Sequence, residues 1–113
     1  MNLTTEALDP DRVILHLEGR FDADTAEAFK QAAKELAAGG VKFMSVDLVG
    51  VPFLDSSGLS ALVSVFKALR RSGGQLNLAA AGPQARTALR LTLLDKILPL
   101  FETVAEAVAH VKP

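Results

Sequence analysis

The chain contains no cysteine, which excludes disulfides and thiolate-ligated metal sites. Histidine is scarce. His16 and His110 are the only two, and neither has the paired spacing of a site such as His-Glu-x-x-His. Both read as solvated surface residues, and no metal or cofactor is expected. No uncharged apolar run is long enough to span a bilayer, so no direct membrane insertion is expected. The first dozen residues carry Glu6, Asp9 and Asp11 and no apolar run, so they do not read as a secretion signal. Neither sign of charge dominates: 12 basic and 13 acidic residues leave a formal net charge of −1. That balance offers nothing to nucleic acid or to an acidic membrane surface. The phosphate-binding and dinucleotide-binding glycine loops are missing, as is the Gly-x-Ser-x-Gly nucleophile elbow. These absences point away from an enzyme, and the cytoplasm is the default location.

What remains has ordinary globular proportions. Half of the 113 residues are hydrophobic and 22% are charged, which suits one domain over residues 1–113 with one core. Val13 to Leu17 alternates as a strand, with Ile14, His16 and Glu18 on its second face. Asn2 to Ala7 can pair with it as an edge strand across Asp9-Pro10-Asp11. Asp24, with Glu27 three residues on, predicts a helix start. That helix runs to about Ala38, burying Ala26, Phe29, Ala33 and Leu36, before Gly39-Gly40 stops it. Phe43 to Val49 and Gln75 to Ala80 read as further strands. Pro83 suits the first turn of a helix. Ile97 to Phe101 predicts a short last strand, irregular at Pro99. Thr103 to Glu106 is a capping box opening a final helix.

The alternation in these strands carries the architecture. Strands covered on both faces tend to be apolar throughout. Here His16, Asp47 and Asn77 each place a polar group on one face. An α/β fold follows: a mixed, mostly parallel sheet of four to five strands, helices stacked mainly on one face, the other face partly wet. The strand–helix alternation implies right-handed parallel crossovers.

The chain is organised around Phe53-Leu54-Asp55-Ser56-Ser57-Gly58-Leu59. Leu59, Leu62, Val63, Phe66 and Leu69 then recur at helical spacing. The stretch is a turn between a buried strand and a helix, with its hydroxyls at the helix N-terminus. Free N–H groups there favour negative charge, so a phosphate would be well received. Ser56 or Ser57 serving only as an N-cap accounts for the same residues. Asp22 ends the neighbouring strand–helix connection. In a parallel sheet both connections emerge at one edge, bringing Asp22 near Ser56; as helix-start residues, Asp22 and Asp55 need no partner. Gly58 permits close backbone approach in the first turn, and Leu59 suits the core or a contact. A phospho-accepting receiver domain would need an acidic pair ahead of Asp47, and there is none.

Leu54-Asp55-Ser56-Ser57-Gly58-Leu59 resembles the signature of the STAS domain, shared by bacterial anti-sigma factor antagonists and sulphate-transporter tails. Glu18 to Asp22 with Thr25, Ser45 to Leu48, Gly73-Gly74 with Leu76 to Leu78, and Phe101 to Ala107 resemble other pieces of that family in order. The resemblance implies a helix-on-one-side fold and an anti-sigma factor antagonist (anti-anti-sigma factor) acting in transcription regulation. Unphosphorylated, it would bind an anti-sigma factor that is also a serine kinase, releasing a sigma factor. That kinase, supplying the ATP, would phosphorylate Ser56, and a PP2C-type phosphatase would reverse it. Asp22, Asp55, Ser57, Gly58 and Leu59 would belong to the partner-binding surface. The family also implies a rival: an unmodified scaffold subunit of a lipid-transport ABC complex or stress-sensing assembly.

Overall fold

A computed structural model describes residues 2–110; Met1 and 111–113, the ends of the expected 1–113 domain, lie outside it. The elements run β1 (Asn2–Asp9), β2 (Arg12–Glu18), α1 (Ala23–Ala38), β3 (Phe43–Gly50), α2 (Ser56–Arg71), β4 (Gln75–Ala79), α3 (Pro83–Leu91), a 3₁₀ turn (Leu94–Lys96), β5 (Leu100–Phe101) and α4 (Val104–His110). The strands lie side by side in chain order, β1–β2 antiparallel and the remaining pairs parallel. Each parallel step moves one place in the same direction. Right-handed crossovers therefore set α1, α2 and α3 on a single face. There Leu15, Leu17, Met44, Val46, Leu76 and Leu78 pack against Phe29, Ala33, Leu62, Leu69 and Leu89. This is the architecture that the alternation predicts, with the edge strand β1 included.

Four local expectations need correction. Asn77 does not face water: its Nδ2 donates to the Ala107 carbonyl at 3.0 Å, because α4 packs over β3, β4 and β5 on the second face. Ser45 and Asn77 are buried there, and only the β1–β2 side stays partly open. Helix α1 starts at Asp22, not Asp24. The Asp22 carboxylate accepts from the Asp24 N–H at 3.1 Å, while Thr25 Oγ1 accepts from the Asp22 N–H at 3.0 Å. Thr25 closes the capping box in place of Glu27. Leu36 is half-buried rather than core. The last strand is shorter than expected, with Ile97 half exposed before it. Pro99 has no N–H for the ladder and lends only its carbonyl, to the Leu78 N–H at 2.8 Å. The Thr103–Glu106 capping box is present as predicted.

Candidate functional site

Beyond the ends of β2 and β3 the chain makes one more parallel bridge, between Phe21 and Leu54. The Phe21 N–H donates to the Phe53 carbonyl at 2.9 Å, and the Asp55 N–H to the Phe21 carbonyl at 3.2 Å. Both bridged side chains are fully buried, so apolar burial anchors a short, otherwise irregular contact. Asp22 and Asp55 are the next residues along each chain. The two strand–helix connections therefore lie side by side, as the parallel sheet requires.

Asp55 is the N-cap of α2. Its Oδ1 accepts from the Ser57 N–H at 2.9 Å and the Gly58 N–H at 3.1 Å. The cap is therefore neither Ser56 nor Ser57. Ser56 is the first residue of the helix, exposed, and its hydroxyl has no hydrogen-bond partner among the described residues. Ser57 is half-buried. The N–H groups that were expected to receive a phosphate already serve Asp55. A phosphate on the exposed Ser56 would stand beside the Asp55 carboxylate, in the first turn of the helix.

Gly58 is required by space. A Cβ there would lie 2.6 Å from both the Phe21 carbonyl oxygen and Leu54 Cδ1. The missing side chain lets α2 approach the bridge. Leu59 is buried in the core and borders a 560 Å³ groove that Ser56, Ser60, Val63, Lys67 and Leu94 also line. A second hollow, between α1 and α2, includes Ala23, Glu27, Lys30, Ser56 and Ser57. Ser56 thus stands on the ridge between two hollows.

One neighbour was given no role from sequence. The Arg20 guanidinium lies 4.2 Å from the Phe53 ring centroid, and its Nε is 3.5 Å from Asp22 Oδ2. It draws the Asp22 carboxylate and the Phe53 ring together across the two connections. Its place between Gly19 and Phe21, inside the Glu18 to Asp22 motif, was the available signal.

A second polar cluster lies on the open sheet face. His16 is not merely solvated. Its Nδ1 is 2.7 Å from Asp47 Oδ2 and its Nε2 is 2.9 Å from Glu6 Oε1. Two acceptors facing both ring nitrogens favour the imidazolium, which alone can donate twice. Hydrogen bonding to Glu6, then to Asp47, holds the His16 pKa above its ordinary value, against a smaller opposing effect of burial. Asp47 is its pairing partner in the parallel β2–β3 register. No metal-holding group of such side chains occurs among the described residues, and no helix is long and apolar enough to cross a membrane.

Comparison with known proteins agrees with this geometry. The chain is 30% identical over 112 residues to the anti-sigma-F factor antagonist RsfB of Mycobacterium tuberculosis, covering 98% of this chain and 91% of that one. The crystal structure of an anti-sigma factor antagonist from Mycobacterium paratuberculosis superposes with a TM-score of 0.88 at 31% identity, over 99% of this chain and 94% of that one. The Bacillus protein SpoIIAA shares the fold at 20% identity. Its unphosphorylated form gives a TM-score of 0.83 over 95% of this chain and 93% of that one. Its phosphorylated form gives 0.78 over 98% and 100%. The STAS domain family model matches residues 3–107. With its signature turn, its sheet order and its relatives in agreement, the chain belongs to the STAS domain family.

Proposed function

We propose that this chain is an anti-sigma factor antagonist whose docking surface is switched by a phosphate on Ser56. The observation that carries the reading is the division of labour at the helix start. Asp55 does the capping, so the exposed Ser56 hydroxyl has no structural duty and is accessible to a kinase. Relatives named as anti-sigma factor antagonists support the partner class. The unphosphorylated chain binds an anti-sigma factor that is a serine kinase, and a sigma factor is released. Asp22, Asp55 and Ser57 flank the acceptor as part of the gripped surface, and the buried Gly58 and Leu59 support the turn beneath it.

The chemistry is the partner's. The kinase binds ATP and positions its γ-phosphate, and this chain supplies only the acceptor oxygen. A phosphate adds about −1.5 to −2 charges at neutral pH. Beside Asp55 and Asp22 it makes an already acidic surface strongly anionic, and docking weakens. A PP2C-type phosphatase resets the switch. The chain itself catalyses nothing.

The test is incubation with the anti-sigma serine kinase of the same genome and ATP, followed by intact mass and peptide mapping. One added phosphate, on Ser56, is expected. Phosphate on Ser57 would overturn the assignment, and none at all would favour the unmodified scaffold subunit.

A further inference from the structure

The segment that presents Ser56 is held from two sides, and only one of them is backbone. Along Phe53-Leu54-Asp55 the hydrogen-bonding groups point alternately to opposite edges, as in any strand. The Phe53 carbonyl and the Asp55 N–H face Phe21. The Leu54 N–H and carbonyl face the other way, where no strand lies among the described residues. There the Gln84 side chain, in the first turn of α3, takes both. Its Oε1 accepts from the Leu54 N–H at 2.8 Å, and its Nε2 donates to the Leu54 carbonyl at 2.9 Å. The reciprocal pair fixes which end of the amide is which, because only the oxygen can accept and only the nitrogen can donate.

A primary amide has the same donor and acceptor as a peptide group, so Gln84 acts as a one-residue strand. Leu54 is 1% exposed, so its N–H and carbonyl have little access to water as an alternative partner. Residue 84 is otherwise exposed and contributes nothing to the core. Its amide serves the bridge alone. The start of α3 is secured separately: Arg86 Nε donates to the Ala81 carbonyl at 2.9 Å, and Pro83 occupies the first turn.

We propose that Gln84 is a positioning residue for Ser56: its side-chain amide completes the Phe21–Leu54 bridge and fixes the direction in which Asp55 and Ser56 leave it. The role rests on Ser56 being the acceptor. Transfer to an oxygen held in the wrong place is slow even when docking is intact, and a displacement on the order of 1 Å can cost about a hundredfold. The loss therefore belongs in kcat.

Two variants separate this role from a structural one. Gln84→Met keeps the shape and removes both hydrogen bonds. Gln84→Glu keeps the acceptor for the Leu54 N–H but sets a carboxylate oxygen against the Leu54 carbonyl. An acidic residue in the first turn also suits the α3 dipole, so its melting temperature should stay near that of the unaltered chain. With the anti-sigma serine kinase and ATP, we expect kcat for phosphorylation of Ser56 to fall roughly ten- to a hundredfold for Gln84→Met and less for Gln84→Glu. KM should change by about twofold or less. Amide exchange at Leu54 should accelerate in Gln84→Met, and the Ser57 and Gly58 amide resonances should move. If Gln84→Met is phosphorylated at the unaltered kcat, or kcat falls only in proportion to melting temperature across both variants, the positioning role is wrong although Ser56 remains the acceptor. If the unaltered chain takes no phosphate on Ser56, the acceptor reading fails and this role with it.

Discussion

Two regions of the molecule hold paired carboxylates, and they use them differently. At the helix starts, Asp22 and Asp55 accept from backbone N–H groups two or three residues away. On the open sheet face, Glu6 and Asp47 converge on His16 from 10 and 31 residues away. A backbone N–H keeps its proton, so the donors that hold the first pair are fixed features of the helix starts. An imidazole does titrate, so the second contributes according to pH. The two acidic clusters therefore have separate roles. One fixes a turn that presents a hydroxyl, and the other ties β1 and β3 to β2.

The sharpest way to break the first region is steric. Gly58→Ala drives a Cβ against the Phe21 carbonyl, backbone that is pinned by the bridge. A loss of about 1–3 kcal/mol is expected from overpacking, measured by urea unfolding. A loss under about 0.5 kcal/mol would mean that the bridge yields easily. Next comes the cap. Asp55→Ala abandons two N–H groups and should cost about 1–2 kcal/mol, whereas Asp55→Asn keeps an acceptor and should cost much less. If the two cost the same, the charge of Asp55 and not its capping oxygen holds the turn.

The second region predicts a pH dependence centred on His16. The pKa of folded His16 is raised, so the folded chain binds this proton more tightly than the unfolded one. The stabilisation is complete below about pH 6.5 and fades as pH rises through the folded value. The His16 side chain is 35% exposed, and water screens its pairs, so the contribution is about 1 kcal/mol or less. Unfolding of His16→Gln between about pH 6 and 9 should show a flatter profile than the unaltered chain. Parallel profiles would place the titration elsewhere. The smallest effect is expected at the acceptor itself. Ser56→Ala removes a hydroxyl without a partner and should change stability by about 0.5 kcal/mol or less, although sequence alone allowed a capping loss.

The same contrast explains what could be read in advance. The cap at Asp55 is local: acid, hydroxyls, glycine and apolar spacing follow one another in the chain, so the turn was legible, although the sequence left the capping oxygen open between Asp55 and the serines. The strand alternation likewise exposed the one-sided helix arrangement, because each strand writes its two faces into consecutive residues. The partners of His16 were hidden. Glu6 and Asp47 meet it only through the β1–β2 and β2–β3 registers, and register is not written in any one segment. Asn77 was misjudged for the same reason, since its cover, α4, arrives 30 residues later. Gln84 sits in α3 with nothing local to mark it. Its role depends on Leu54 lacking a strand on one side, which is a fact of topology.

The most direct test of the central claim, that charge at Ser56 controls docking, is calorimetric titration of the anti-sigma partner. It should use the unaltered chain, Ser56→Ala, Ser56→Asp and, as control, Ser57→Ala. Ser56→Ala should bind like the unaltered chain. Ser56→Asp, carrying one charge on a shorter group than a phosphate, should bind more weakly, on the order of tenfold, equivalent to about 1.4 kcal/mol. Ser57→Ala should lose less than Ser56→Asp. Equal affinity of Ser56→Asp and Ser56→Ala, with both folded, would contradict the switch.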